Sequence, residues 1–595
     1  FFSISGIVTL FFLGAVGCAF VRGSAASAGG GGGAGGTVLV ATAAGSVGGL
    51  TVNATGGVGG DLNENETPEL DGPGAGGGGG VVYTTGTVIA NLNGGQSGIV
   101  EDNTTNRNNT PNGATAGTAG FTQQISLSDL TTSISSSNGG CFNISGTVYE
   151  DSNGNDDLDG SEPKLADITV KLLDNSDNSV IATTTTQTDG AYTFTEIVNG
   201  DYKIQVDTND TDIPSEYTLG TDNDLSVTVS GSDITNQNFG FDEPIEKIPD
   251  PPPTSTDPTP PEGRICAAPG SDGSITLSGV INTYHPGAAS VSAGNSSINL
   301  GAINPNGNTT PISKGDKLLI IQMQDAEINS TNTDAYGNGS PGGAASGSTA
   351  LNTAGYYQYV VADNDVPTSG GTLQIKESLE YTFTNADATA TSGQRRFQVV
   401  RLPQHINATI SSTVTAAPWN GNSGGIFALD VGNTLTFSGG TIDVNGQGFR
   451  GGGGINVNGN NTPLPAPGNT DYVNLSTQPF HGSKGEGIAG TPRLMRNDVT
   501  TTVSDNGIEG YPNGSFGRGA PGNAGGGSTD PNQQANAANT GGGGGANHGY
   551  GGHGGDSWTD GYGRQPMGGY GGQAFPTSFN RIIMGGGGGA GTDNK

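Results

Sequence analysis

The chain has 595 residues, of which 109 are glycine; only 13% are charged, and the formal net charge is −33. So acidic a polypeptide excludes electrostatic recognition of nucleic acid or of an anionic membrane, and it favours divalent cations. Five histidines and three cysteines, with no Cys-x-x-Cys and no Cys/His cluster, leave zinc and redox chemistry without material.

The length accommodates three or four domains. At the front, Phe1-Phe-Ser-Ile-Ser-Gly-Ile-Val-Thr-Leu-Phe-Phe-Leu13 is a short apolar run. It is followed by the small residues Ser24-Ala-Ala-Ser-Ala28, which predicts a secretory signal over residues 1–28. With no initiating Met and no basic flank, the chain reads as truncated there. Ala15-Val-Gly-Cys18 alternatively reads as a lipoprotein box that would anchor Cys18, and the run itself as an uncleaved anchor. Residues 29–140, rich in Gly, Ala, Thr, Ser and Asn, read as a low-complexity stalk with weak strands.

Asp151-Ser-Asn-Gly-Asn-Asp-Asp-Leu-Asp-Gly-Ser-Glu162 is the most informative stretch. Oxygen-bearing side chains fall at positions 1, 3, 5, 9 and 12 of a twelve-residue loop, as Asp151, Asn153, Asn155, Asp159 and Glu162. Asp157, at position 7, is placed to offer its carbonyl. Calcium is a hard ion that takes six to eight oxygens, and this spacing supplies them. Position 6, ordinarily glycine, is Asp156. The flanks alternate like strands, not like the helices of an EF-hand. Ile144-Ser-Gly-Thr-Val-Tyr149 precedes the loop; Ile168-Thr-Val-Lys-Leu172, Val180-Ile-Ala-Thr-Thr184, Ala191-Tyr-Thr-Phe194, Tyr202-Lys-Ile-Gln-Val206 and Leu225-Ser-Val-Thr-Val229 follow it. About seven short strands over roughly 100 residues predict a β-sandwich across residues 141–242.

Ser145-Gly-Thr-Val-Tyr-Glu-Asp-Ser-Asn-Gly-Asn155 and the later Thr188-Asp-Gly-Ala-Tyr-Thr-Phe194 with Asn199-Gly-Asp-Tyr202 resemble the SdrD B-like domain, a Cna-B-type module of bacterial surface proteins. The resemblance implies a calcium-stiffened spacer that carries a neighbouring domain away from the cell. Some Cna-B relatives close a Lys–Asn isopeptide bond; Lys171 sits on a suitable early strand, although the SdrD B-like branch usually lacks the bond.

Residues 243–264 are a proline-rich linker that favours extended polyproline II. Residues 265–595 read as β throughout. Between Gly425 and Gly451, short apolar strands recur about every ten residues with Gly or Asn between them, which predicts a β-solenoid with Ile426, Leu429, Leu435, Phe437, Ile442 and Val444 inward. Ile442-Asp-Val-Asn-Gly-Gln-Gly-Phe-Arg-Gly451 resembles the glycine-rich β-helix region of bacterial surface proteins. The glycine tail has two readings: flexible, because ordering glycine costs the most entropy, or a polyglycine lattice tied by Tyr550, Trp558, Tyr562, Tyr570 and Phe575. Cys141 and Cys266 either pair or stay free.

The expected fold class is therefore all-β: a Cna-B-type sandwich plus a larger glycine-rich, solenoid-like domain. The expected function is that of a secreted or cell-surface, adhesin-like structural protein. It would meet an extracellular glycan or protein ligand, or self-associate into a surface layer, with Ca2+ as its cofactor. The competing class is a polysaccharide-binding or -degrading β-helix, for which Asp443, Arg450, His481, Lys484 and Glu486 would have to assemble on one face. His548 and His553 read as exposed polar residues of a glycine loop.

Overall fold

The computed structural model describes residues 2–5, 8–13, 29–42, 50–63, 72–101, 109–125, 142–152, 155–159, 162–175, 178–197, 200–214, 217–230, 232–242, 270–337, 347–456, 471–475, 481–496, 503–505, 507, 509–530, 539–559, 563–565, 568–575 and 581–593. They form two compact units, residues 1–133 with 268–595 and residues 134–267. Apart from one 3-10 turn at Asp334–Tyr336, the regular elements among the described residues are strands. No helix among them is long and apolar enough to cross a membrane. All three cysteines lie outside the described residues.

In the larger unit, the apolar run at the front supplies β1 (Phe2–Ser5) and β2 (Val8–Leu13). Seven strands follow: β3 (Thr37–Thr42), β4 (Thr51–Asn53), β5 (Leu62–Asn63), β6 (Val81–Thr84), β7 (Ile89–Asn91), β8 (Val100–Glu101) and β9 (Phe121–Gln124). They stack in parallel. Thr37 lies opposite Val81 and Val81 opposite Phe121, Thr51 opposite Ile89, and Leu62 opposite Val100. The paired segments are thus roughly 40 residues apart in sequence. The expected stalk is instead built into the larger unit.

The smaller unit is a sandwich. β10 (Phe142–Asp151), β13 (Ala191–Ile197), β15 (Thr218–Leu219) and β17 (Phe239–Asp242) form one sheet in the order β13-β10-β17-β15. β11 (Thr169–Asp174), β12 (Val180–Thr185), β14 (Gly200–Val206) and β16 (Leu225–Val229) form the other, in the order β12-β11-β14-β16. Alternation places Ile144, Val148, Tyr192, Phe194, Phe239 and Phe241 of the first sheet against Val170, Leu172, Ile204, Val206, Val227 and Val229 of the second, in one core. The predicted strands all appear, within three residues at their ends.

The larger unit resumes with β18 (Ile275–Val280), β19 (Thr283–Pro286), β20 (Ser297–Leu300), β21 (Lys317–Gln324), β22 (Tyr357–Val361), β23 (Gly371–Gln374), β24 (Arg396–Arg401), β25 (Gln404–Thr415), β26 (Ile426–Phe437) and β27 (Thr441–Ile442). A nine-stranded sheet runs β18-β25-β26-β2-β3-β6-β9, with β1 beside β26 and β27 beside β25. β25 pairs in parallel with β18, β26 and β27, whereas β1 and β2 pair antiparallel with β26. A second sheet, β19-β24-β21-β22, is antiparallel throughout. Ile426, Leu429 and Leu435 are fully buried, and Phe437, Ile442 and Val444 pack half-buried against the core that Leu429 and Leu435 share with Val38, Val82 and Ile410.

Between these sheets and the tail lies a core made of backbone. The N–H groups of Gly542 and Gly545 donate to the carbonyls of Gly29 and Gly32; those of Gly543 and Ala546 donate to Gly526 and Asn523; those of Gly541 and Gly544 donate to Gly555 and Gly552. The direction repeats every third residue, toward three different neighbours. A polyproline-II-like chain has three residues per turn and no internal hydrogen bonds, so all its donors point outward. Residues 29–36, 54–60, 72–80, 541–555, 568–573 and 585–590 exchange bonds in this way. Such close approach requires glycine. A methyl group on Gly543 would overlap the Tyr570 carbonyl, on Gly56 that of Gly77, and on Gly588 that of Gly31. The described glycine runs of the tail are therefore packed against neighbouring backbone. Tyr570 does serve as a tie: Tyr472 stacks on it at 5.7 Å, the Arg518 guanidinium sits 4.2 Å from its ring centre, and His553 meets it edge-on.

Glu486 fastens this lattice to the sheets. It is fully buried, and Arg450 grips it with Nε 2.9 Å from Oε2 and Nη2 3.0 Å from Oε1. Trp419 and Thr491 also donate to Oε1. The Gly587 N–H donates to the Glu486 carbonyl, and the Glu486 N–H to that of Arg450. Burial works to raise the Glu486 pKa, but Arg450 and these hydrogen bonds outweigh it and hold the carboxyl below the ordinary glutamate range.

Two outcomes are expected. Gly543→Ala should destabilise the larger unit by about 1–3 kcal/mol or more by overpacking, whereas Gly454→Ala, which faces open space, should be near neutral; chemical denaturation of both variants checks this. Glu486→Gln should cost about 3–5 kcal/mol because it leaves Arg450 buried without its counter-charge. A depressed carboxyl stabilises the fold above its unfolded pKa of about 4.3 and loses that contribution as pH falls through the lower folded value. The Gln variant should therefore show a flatter acid limb in its stability–pH curve than the parent.

Candidate metal-binding loop

β10 ends at Asp151, which is 2% exposed, and the chain then turns out and back. The return is pinned to β10 by the Leu165 N–H on the Val148 carbonyl (3.0 Å) and by the Glu150 N–H on the Pro163 carbonyl (2.9 Å). Inside the turn the Asp151 carboxylate accepts the N–H groups of Asn155 (3.2 Å) and Asp156 (2.6 Å). Asn155 Oδ1 accepts the N–H of Asp157, and Asn155 Nδ2 donates to Asp159 Oδ2 at 3.2 Å. Glu162, 6% exposed, closes the loop by accepting the Asp159 N–H on Oε2 at 2.8 Å. Asp156 has φ +61°, the left-handed conformation that a sixth-position glycine would adopt and that Asp tolerates. The departure from glycine therefore leaves the turn intact.

Of the six expected ligands, Asp151, Asn155, Asp157, Asp159 and Glu162 lie on this one loop, and Asn153 lies outside the described residues. Among the described residues, no three His, Cys, Asp or Glu side chains converge closely enough to hold a metal ion. Asp151 and Glu162 instead spend oxygens on backbone N–H groups. The donor chemistry nonetheless suits a hard cation, because Glu162 Oε1 and the Tyr149 hydroxyl are buried without a hydrogen-bond partner. Burial and then Asp151, Glu162, Asp156 and Asp157 push the Tyr149 hydroxyl up to about 12. Asp242, which the loop spacing did not reveal, also belongs here: parallel pairing of β17 with β10 sets it opposite Asp151. Burial, then Asp151 and Asp156, raise its pKa. No local signal marks Asp242, since its neighbour is 91 positions away in sequence.

The residues of the catalytic alternative are dispersed into separate structural roles. Asp443 caps an exposed turn through the Asn445 N–H. His481 is buried between Asp471 (2.9 Å) and the Asp530 N–H (3.0 Å). Lys484 is fully buried, where burial pulls its pKa well down, and its Nζ meets the carbonyls of Tyr472, Gly517 and Gly519 at 2.6–2.9 Å. Glu486 and Arg450 form the tie described above. His553 is packed beside Tyr570 and His548 beside Phe121, so these two are not the plain exposed loop residues expected. Lys171 is ion-paired with Asp207 at 2.8 Å.

A family model of the SdrD B-like domain matches residues 142–244. Serine-aspartate repeat-containing protein D of Staphylococcus aureus strain Newman is 36% identical over 107 residues, covering 17% of this chain and 8% of that protein. Serine-aspartate repeat-containing protein F of Staphylococcus epidermidis is 33% identical over 116 residues, covering 18% of this chain and 7% of that protein. The chain thus spans less than a tenth of the length of these curated relatives. Among solved structures, the minor pilin GBS52 of Streptococcus agalactiae aligns at 13% identity and a TM-score of 0.15, covering 26% of this chain and 60% of that one. Sandwich topology, loop position and family match coincide on the same stretch: residues 142–244 are an SdrD B-like domain.

Proposed function

We propose that the protein is a secreted or cell-surface structural protein of adhesin type. In this reading the SdrD B-like domain is a calcium-stiffened spacer, and the glycine-rich unit, a solenoid-like stack of coils, is the surface it presents. The observation that carries the reading is the family match at residues 142–244, which includes near its start a loop whose oxygens follow calcium spacing. Asp151, Asn153, Asn155, Asp157, Asp159 and Glu162 are the proposed ligands. Chelation by the loop would replace hydrogen bonds to single N–H groups with a shared cation and close the turn against β10. Export fits the SdrD B-like domain, a module of bacterial surface proteins, whereas the apolar N-terminal run expected as a signal pairs as β1 and β2 within the larger sheet; the partner is an extracellular glycan or protein, or further copies of the chain. The separate engagement of Glu486, Lys484 and His481 favours this over polysaccharide cleavage.

Binding to the folded state alone stabilises it by RT ln(1 + [L]/Kd), about 2.7 kcal/mol at a hundredfold excess over Kd. Calorimetry of the whole chain should therefore show one transition, that of the sandwich, moving up when millimolar calcium replaces chelator. In Asp151→Ala/Glu162→Ala that transition should stay put. Superimposable scans of the unaltered protein with and without calcium would reject the proposal.

A further inference from the structure

The sandwich holds a second group of carboxylates beside the loop that the twelve-residue spacing does not include. Gly220 marks the place. A Cβ built there would lie 2.8 Å from Asp156 Oδ1 and 2.9 Å from Asp242 Oδ2, so the two carboxylates come close to one point. Asp156 arrives from the loop by its left-handed turn, and Asp242 arrives from the end of β17, in register with Asp151. Gly220 itself is held by its N–H on the Gly240 carbonyl at 2.9 Å, which keeps this spot clear of side chain.

Three buried oxygens at this end of the sandwich have no hydrogen-bond partner: Asp242 Oδ1, Glu162 Oε1 and the Tyr149 hydroxyl. Glu162 and Tyr149 are 6% and 0% exposed. Buried oxygens left unpaired are costly, and like charges brought together add to that cost. Lys164 does not relieve them: its Nζ lies 5.6 Å from the Tyr149 ring centre and makes no hydrogen bond. Two unpaired carboxylate oxygens, with a phenol oxygen beside them, offer the hard oxygen ligands that a calcium ion takes.

We propose that Asp242, from the last strand, and Asp156, at the loop's sixth position, are calcium ligands additional to the six of the linear spacing, so that the cation held by the loop also clasps the last strand of the sandwich. This rests on the calcium reading of the loop and adds to it. The ion would join the end of β10 to the end of β17, where the chain leaves the domain for its proline-rich segment. Binding would then brace the exit of the spacer as well as its loop.

Isothermal titration of calcium into the whole chain, stripped with chelator, tests this with Asp242→Asn, Asp156→Asn and the remote Asp505→Asn. Asp505→Asn should bind as the unaltered protein does, because Asp505 pairs with Arg493 in the other unit. Asp242→Asn and Asp156→Asn should each weaken binding about tenfold or more, within the range for disturbed metal sites. Melting in chelator separates this from misfolding: Asp242→Asn should melt at or above the parent temperature there, since it removes charge repulsion, and below it in calcium. Calcium affinity of both variants within twofold of the parent would overturn the inference while leaving the loop reading intact. An unaltered protein that takes up no calcium would overturn both.

Discussion

The larger unit depends on backbone hydrogen bonds between chains that have no side chains in the way. An extended three-residue helix cannot satisfy its own N–H and C=O groups, so every such segment must lie among others like it. The segments at residues 29–36 and 541–555 do this for each other although some 500 residues separate them. The parallel strands β3, β6 and β9 continue the same passes of chain that carry the glycines. An apolar side-chain core and a polar backbone core thus sit end to end in one unit, and Glu486 with Arg450 ties them at the seam.

That arrangement explains a composition that otherwise looks unable to fold. Glycine gives up the most entropy on ordering, and the lattice offsets it with backbone hydrogen bonds between segments distant in sequence and with aromatic ties such as Tyr570. The sandwich works by the opposite rule. Its two faces interlock through Ile, Val, Leu and aromatic side chains in one core.

The sandwich was legible because strands write themselves in alternation: Ile144, Val148, Val170, Leu172, Ile204 and Val206 fall at every second position and meet in the core. The loop was legible because oxygen spacing survives in the sequence whatever the surroundings. Asp242 was not, since only the parallel register of β17 on β10 brings it to Asp151. The union of residues 29–125 with the tail was hidden for a related reason. Bonds between backbones leave no side-chain pattern, so glycine runs that pair with each other look the same as glycine runs that do not. The apolar recurrence expected to mark successive coils was misleading: Ile426, Leu429, Leu435 and Phe437 lie on the single strand β26, which pairs in parallel with β25 but antiparallel with β1 and β2, while β19, β21, β22 and β24, equally apolar, pair antiparallel throughout.

The threefold turn of the glycine segments also limits how this gene can change in length. Removing one residue from residues 541–546 rotates every later donor by a third of a turn, away from Gly29, Asn523 or Gly552 and toward a neighbour already engaged. Removing three restores each donor to the same side, one step along. Length variation inside these segments should therefore accumulate in threes, whereas the turns between them are free to vary by single residues.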